Sequence, residues 1–220
     1  MSTIYKSEAG ANEIQRRYRE VLRTWPVPAE QVRVPTREGD TFVVVSGPED
    51  APPLLLLHGS GANTAMWQGD ITSWARHFRT YALDLIGEPG LSAPSRPPLA
   101  SDAYERWLDD VLEGLGITST SIVGASLGGW LALDYATRRP ERVTRLALLC
   151  PGGVGRQKMG WMLKALLLRP FGRWGGTPVG TSCRGPGRAT APARPRRHRV
   201  DLHAVQAAHR AAARVAFLRG

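Results

Sequence analysis

Short apolar runs alternate with amphipathic stretches along the first 150 residues of this chain. The apolar runs have the length of strands buried on both faces of a sheet, and they end at His58, Asp84, Ala125 and Leu149. Stretches with apolar side chains at helical spacing lie between them, at residues 63–76, 101–115 and 127–138. Strands that alternate with helices predict an α/β fold with a mostly parallel sheet and right-handed crossovers.

Two further elements precede the first apolar run. Residues 8–24 have the pattern of an amphipathic helix, with one apolar face made of Ile14, Tyr18, Val21 and Leu22. Residues 31–35 and 41–46 read as the strands of an antiparallel hairpin, because turn-forming residues separate them at positions 37–40.

The most informative local motif follows the apolar run that ends at Ala125. The segment Gly124-Ala125-Ser126-Leu127-Gly128 joins a strand to a helix through a turn of small residues. A strand, a sharp turn and a helix in this order raise the serine hydroxyl above the sheet, the arrangement called a nucleophile elbow. Glycine is required at 124 and 128, since side chains there would strike the neighbouring strand and helix. We therefore predict Ser126 as a catalytic nucleophile.

A second motif lies about seventy residues upstream, where the apolar run at 53–57 opens into the loop His58-Gly59-Ser60-Gly61. Small residues in such a loop allow backbone N–H groups to approach a substrate oxygen closely.

Together with residues 79–92 and 140–149, these two motifs resemble the α/β-hydrolase superfamily, specifically its esterase-like members with an H-G-x-G loop. The resemblance implies an oxyanion hole formed by the N–H groups of Ser60 and Leu127, with supporting roles for His58, Gly59, Gly61, Gly124 and Gly128. It further implies hydrolysis of a small-molecule ester or related acyl bond through an acyl-enzyme, without metal or organic cofactor. A serine nucleophile argues against dehalogenase and epoxide hydrolase chemistry, whereas cofactor-free peroxidase and carbon–carbon hydrolase chemistry stay open.

The catalytic acid and base are harder to find, because the family orders its triad as serine, acid and histidine along the chain. The acids after Ser126 are Asp134, on the helix and turned away, Glu141, in a link, and Asp201. The histidines are His58 in the loop, His77 at a predicted surface position, and His198, His203 and His209 near the C-terminus. We predict a truncated or frame-shifted hydrolase that lacks strands seven and eight, as well as a recognisable acid and base.

Composition divides the chain near Gly175. Residues 175–220 hold nine arginines and one acid, so this segment accounts for +8 of the net charge of +10. Its Arg, Ala, Gly and Pro predict a disordered basic tail, although residues 202–218 have a composition compatible with a basic helix. The tail is either translated out of frame or genuine. We predict an N-terminal helical extension at 1–29, a hydrolase core at 30–150, the start of a lid at 151–174, including an apolar helix at 159–168, and the tail at 175–220.

The remaining expectations concern location and partners. Only Cys150 and Cys183 are present, which favours a reducing compartment over a disulfide framework. Residues 1–8 lack the layout of a signal peptide, and no run approaches the ~20 apolar residues of a membrane span. We expect a cytoplasmic protein with no metal, no membrane contact and no specific nucleic-acid target. The rival interpretation is a hydrolase remnant that binds a small ligand or an anion without catalysis.

Overall fold

The computed structural model describes residues 4–153. The predicted lid helix at 159–168, Cys183 and the predicted basic tail at 175–220 lie outside the described residues. The elements, in chain order, are helix α1 (Glu8–Arg23), strands β1 (Ala29–Val34), β2 (Thr41–Ser46) and β3 (Pro53–Leu57), a 3-10 turn (Thr64–Trp67), helix α2 (Ile71–Trp74), strand β4 (Arg79–Leu83), helix α3 (Ala103–Gly114), strand β5 (Thr120–Ala125), helix α4 (Leu127–Arg138), a second 3-10 turn (Pro140–Arg142) and strand β6 (Val143–Leu149).

The six strands form one sheet in the spatial order β1-β2-β4-β3-β5-β6. Strands β4, β3, β5 and β6 run parallel to one another, whereas β2 is antiparallel to both β1 and β4. This arrangement confirms the mostly parallel α/β class. The four parallel strands end at the same edge of the sheet, where ligands bind in folds of this kind.

Helices cover both faces of the sheet, as the alternating pattern predicts. Alternate residues of β3 point to opposite sides: Leu55 and Leu57 pack with α3 and α4, while Leu54 and Leu56 pack with α1, α2 and the first 3-10 turn. All four leucines are buried. A strand apolar at every position is thus explained by burial on both faces.

Both predicted helical regions are found, but the structure differs from the prediction in one detail of each. Residues 63–76 do not form one helix but a 3-10 turn and the four-residue α2, separated at Gln68-Gly69-Asp70. Asn63 caps the first piece by accepting a hydrogen bond from the Ala65 N–H (3.2 Å), and Gly69 disfavours a continuous helix. On α1, Ile14 is 43% exposed, so Tyr18 and Leu22 alone supply the buried part of its apolar face.

The N-terminal helix is tied to the edge of the sheet that carries the candidate site. The Tyr18 hydroxyl donates to the buried Asp84 carboxylate (2.8 Å) immediately after β4. The same carboxylate accepts the N–H groups of Thr64 and Leu91, each at 2.8 Å. Asp84 therefore holds α1 and two loops in fixed positions around the ends of β3 and β4.

Strand β6 is one of the two edge strands of the sheet formed by the described residues, and β1 is the other. Leu146 and Leu148 pack against the core beneath α4, whereas Arg145, Ala147 and Leu149 on the opposite face are exposed. Within residues 4–153, no helix is both long and apolar enough to cross a membrane.

Candidate active site

Ser126 occupies the turn between β5 and α4 and is solvent-exposed. Its backbone angles, φ 49° and ψ −109°, lie in a region that residues other than glycine seldom adopt. Backbone hydrogen bonds hold it there: its N–H donates to the carbonyl of Leu149 (2.9 Å), and its carbonyl accepts the N–H groups of Gly152 and Trp130, each at 3.0 Å. The end of β6 and the first turn of α4 thus fix the backbone of Ser126 in a strained conformation.

Gly124 and Gly128 bring β5, α4 and β3 into direct backbone contact beneath Ser126. A Cβ atom on Gly124 would lie 2.4 Å from the Gly128 carbonyl oxygen, and one on Gly128 would lie 2.2 Å from the Leu57 carbonyl oxygen. The Gly128 N–H also donates to the carbonyl of His58 (3.1 Å). Neither position has room for any side chain, which is the physical reason for the two glycines around the serine.

The strained backbone at Ser126 leads to a prediction about stability. In urea denaturation, we expect the free energy of unfolding of Ser126→Gly to exceed that of Ser126→Ala by about 1 kcal/mol, because glycine adopts this conformation with little strain. Both variants lack the hydroxyl, so the difference reports the backbone alone. The matched pair at the exposed helical residue Ser73 is expected to show the opposite order, since alanine is the better helix former there. Equal free energies of unfolding for Ser126→Gly and Ser126→Ala would contradict the assignment of backbone strain to Ser126.

His58 is fully buried and serves the loop that it opens. Its Nε2 accepts the Leu85 N–H (2.9 Å), so the ring proton is on Nδ1, which donates to the Gly59 carbonyl (2.8 Å). Burial lowers the pKa of His58 below its ordinary value, opposed by the hydrogen bond to Gly59, and the neutral ring is favoured. With both ring nitrogens engaged, His58 holds the loop and is not available as a base for Ser126.

The structure brings the 58–61 loop against Ser126. A Cβ atom on Gly59 would lie 3.4 Å from the Cβ of Ser126. Among the hydrogen bonds formed within residues 4–153, none is donated by the N–H of Ser60 or of Leu127. Leu127 is the first residue of α4, where the helix dipole favours negative charge. Backbone N–H groups that donate no hydrogen bond within the described residues, together with a helix N-terminus, are the kind of groups from which an oxyanion hole is built.

Among the other acids and histidines considered in the sequence, those that the structure describes are not brought to Ser126. His77 is exposed and precedes β4, at the opposite edge of the sheet. Asp134 pairs with Arg138 (3.1 Å) along α4, and Glu141 is exposed. Asp201, His198, His203 and His209 lie outside the described residues. In the part of the chain that the structure describes, no group of three or more His, Cys, Asp and Glu residues is placed to hold a metal ion.

Sequence reasoning missed Glu88, which lies in the loop after β4 and is only 6% exposed. Its Oε2 accepts the Gly61 N–H (2.5 Å) and lies 3.4 Å from the Ser60 hydroxyl, which donates to it. Arg96 pairs with its other oxygen (3.4 Å). A glutamate in a loop is usually solvated, and no sequence pattern marked this one as buried against the 58–61 loop.

Comparisons with known proteins agree with the fold. The family model described as alpha/beta hydrolase fold matches residues 52–176. The carboxylesterase nap of Bacillus subtilis (strain 168), labelled uncharacterized, is 43% identical over 134 residues, and carboxylesterase YbfK of the same organism is 40% identical over 134 residues. Each of these alignments covers 61% of this chain and 45% of the relative. The chain thus spans about half the length of these curated relatives.

The similarity extends to solved structures. Naproxen esterase (carboxylesterase NP) from Bacillus subtilis matches with a TM-score of 0.65 and 36% sequence identity. The match covers 74% of this chain and 57% of that one. The family match ends at residue 176, next to the change of composition at Gly175.

Proposed function

Because the chain belongs to the alpha/beta hydrolase family, we propose that its site is that of a carboxylesterase-like serine hydrolase with Ser126 as nucleophile. The observation that carries the proposal is the strained, exposed Ser126, which lies against Gly59 of the 58–61 loop and directly before α4. Within residues 4–153, the N–H groups of Ser60 and Leu127 donate no hydrogen bond. The similarity to carboxylesterases of Bacillus subtilis supports an ester of a small molecule as the substrate class.

In the proposed reaction, the Ser126 Oγ attacks the carbonyl carbon of the ester. The carbonyl oxygen takes up the negative charge, and the N–H groups of Ser60 and Leu127 stabilise it by hydrogen bonds. The intermediate collapses as the carbon–oxygen bond to the alcohol breaks, and the alcohol leaves with a proton. Water then cleaves the acyl-serine ester by the same route, which restores the hydroxyl.

A complete cycle needs a base to remove the serine proton and to return it to the alcohol. Neither histidine in residues 4–153 meets this need, since both nitrogens of His58 are engaged and His77 lies at the far edge of the sheet. We further propose that His198, His203 and His209 do not complete a triad, because the family match ends before them. On this view the chain has a nucleophile and an oxyanion hole but is catalytically impaired.

The nucleophile is tested with a fluorophosphonate probe in large excess. The Ser126 Oγ attacks phosphorus, fluoride leaves with the bonding electrons, and the hydroxyl proton passes to water. Without a base we expect labelling to be slow but confined to Ser126, as located by mass spectrometry of the peptides, and absent in Ser126→Ala.

Ser60→Ala is the matched control, because it removes a hydroxyl from the same site while it keeps the Ser60 N–H. It is expected to be labelled at Ser126 as well. Labelling at a different residue, or unchanged labelling of Ser126→Ala, would overturn the proposal by placing the nucleophile elsewhere. No labelling of the parent protein would also overturn it and would favour a ligand-binding remnant without a nucleophile.

A further inference from the structure

We propose that Glu88 is a positioning residue that sets the orientation of the Ser60–Gly61 peptide in the oxyanion loop. The inference rests on the proposed function, because it deepens the role of the same loop. It is carried by a buried carboxylate that touches both residues of that peptide and has no part in the reaction derived above.

The loop has the geometry of a tight turn. The Ala62 N–H donates to the carbonyl of Gly59 (3.3 Å), and Gly61 has a φ of +73°. A closing hydrogen bond with a positive φ at the third residue is the pattern of a type II turn. Type I and type II turns differ by a flip of the middle peptide, which here joins Ser60 to Gly61. Glycine at the third residue favours the observed type II form, because a positive φ is required there, although it also permits the flipped form.

The Glu88 carboxylate makes contacts that depend on the orientation of this peptide. In the observed orientation the Gly61 N–H points at Oε2 (2.5 Å), as does the Ser60 hydroxyl (3.4 Å). After a flip, the Ser60 carbonyl would face the carboxylate in its place. Two acceptors would then oppose each other in a partly buried site, which is costly.

The contact matters because Ser60 is the proposed oxyanion donor. A flip of the Ser60–Gly61 peptide leaves the Ser60 N–H in place, because this N–H belongs to the preceding peptide. Loss of both contacts to Glu88, however, releases the turn that carries the Ser60 N–H and allows it to shift. Displacement of a catalytic group by about 1 Å costs roughly 100-fold in rate. Glu88 also takes up the Gly61 N–H, which leaves the N–H of Ser60 as the loop's donor towards the substrate.

A carboxylate so close to a developing oxyanion would oppose catalysis if its charge were not balanced. Arg96 supplies the balance: its Nη2 lies 3.4 Å from Oε1 of Glu88, and its Nε donates to the carbonyl of Gly87 (2.7 Å). The Glu88–Arg96 pair therefore provides the loop with a carboxylate acceptor, while the positive charge of Arg96 keeps the net charge near the site small.

The test measures the rate of fluorophosphonate labelling at Ser126 as a function of probe concentration, which separates the maximal rate from the half-saturating concentration. We expect Glu88→Ala to lower the maximal rate roughly 10- to 100-fold while the half-saturating concentration stays unchanged. Glu88→Gln keeps an acceptor oxygen for the Gly61 N–H, so it is expected to stay within about threefold of the parent protein. A purely structural role of Glu88 would not lower the maximal rate while the half-saturating concentration stays unchanged, nor would glutamine at this position restore the rate.

The matched control is Glu38→Ala, which removes another glutamate that accepts a serine hydroxyl, that of Ser95, outside the site. We expect this variant to be labelled at Ser126 at the rate of the parent protein.

If circular dichroism shows that Glu88→Ala does not fold, Glu88→Asp is used in its place, because the shorter side chain withdraws the carboxylate from the Gly61 N–H. Equal maximal rates, or Glu88→Gln as slow as Glu88→Ala, would overturn this inference alone. Absence of label at Ser126 in the parent protein would overturn the proposed function and this inference with it.

Discussion

On short-chain p-nitrophenyl esters, we expect turnover by this chain to lie close to the uncatalysed background. Loss of the base in a serine hydrolase removes activation of the nucleophile, which costs roughly 10⁶ in turnover in a serine protease. The oxyanion hole and substrate binding retain a rate acceleration of about 10³ to 10⁴ over the reaction in water. Against a carboxylesterase with an intact triad, assayed in parallel, the deficit is therefore expected to be about a millionfold.

Ser126→Ala is the control for this assay, and we expect its rate to be almost that of the parent chain. Robust turnover that disappears in Ser126→Ala would contradict the expected impairment. It would show that residues 154–220 supply a base, and His209 with Asp201 would then be the pair to substitute next, since their order along the chain permits a triad.

The second large effect is on folding, and it concerns Gly128. We expect Gly128→Ala to destabilise the protein by about 3 kcal/mol or more, a substantial part of the 5–15 kcal/mol typical of a domain. The added methyl group would lie 2.2 Å from the carbonyl oxygen and 2.5 Å from the carbonyl carbon of Leu57, and 2.6 Å from the carbonyl oxygen of His58. These are backbone atoms of β3 and its loop, so relief requires β3 and α4 to move apart.

Alanine is intrinsically favoured over glycine in a helix, so propensity alone predicts the opposite sign. Gly69→Ala is the matched control, because a Cβ atom there has no heavy atom within 4 Å. Urea denaturation followed by circular dichroism compares the two variants. A Gly128→Ala protein as stable as the parent would show that α4 does not pack on β3 as closely as described.

Sequence alone was sufficient where burial dictates composition. Strands β3 and β5 are apolar because helices cover both of their faces, and Gly124, Ser126 and Gly128 carry a motif whose geometry depends on local sterics. The interruption at Gly69 was missed because apolar residues keep helical spacing across it, although the chain forms two short pieces. Periodicity reports which face is buried but does not show where the backbone turns.

Glu88 shows a different limit. Its burial follows from the packing of the loop after β4 against residues 58–61, which are distant in sequence, and from the charge of Arg96 nearby. A carboxylate becomes stable in such a position only when tertiary structure supplies its donors. Composition and spacing therefore contain no signal for it.

The central claim is that Ser126 and the N–H groups of Ser60 and Leu127 form one reaction site. A crystal structure of the phosphonylated protein tests it most directly. We predict phosphorus bonded to the Ser126 Oγ, with the phosphoryl oxygen about 2.7–3.1 Å from the nitrogens of both Ser60 and Leu127. Phosphorus on another residue, or a phosphoryl oxygen directed away from these two N–H groups, would contradict the account.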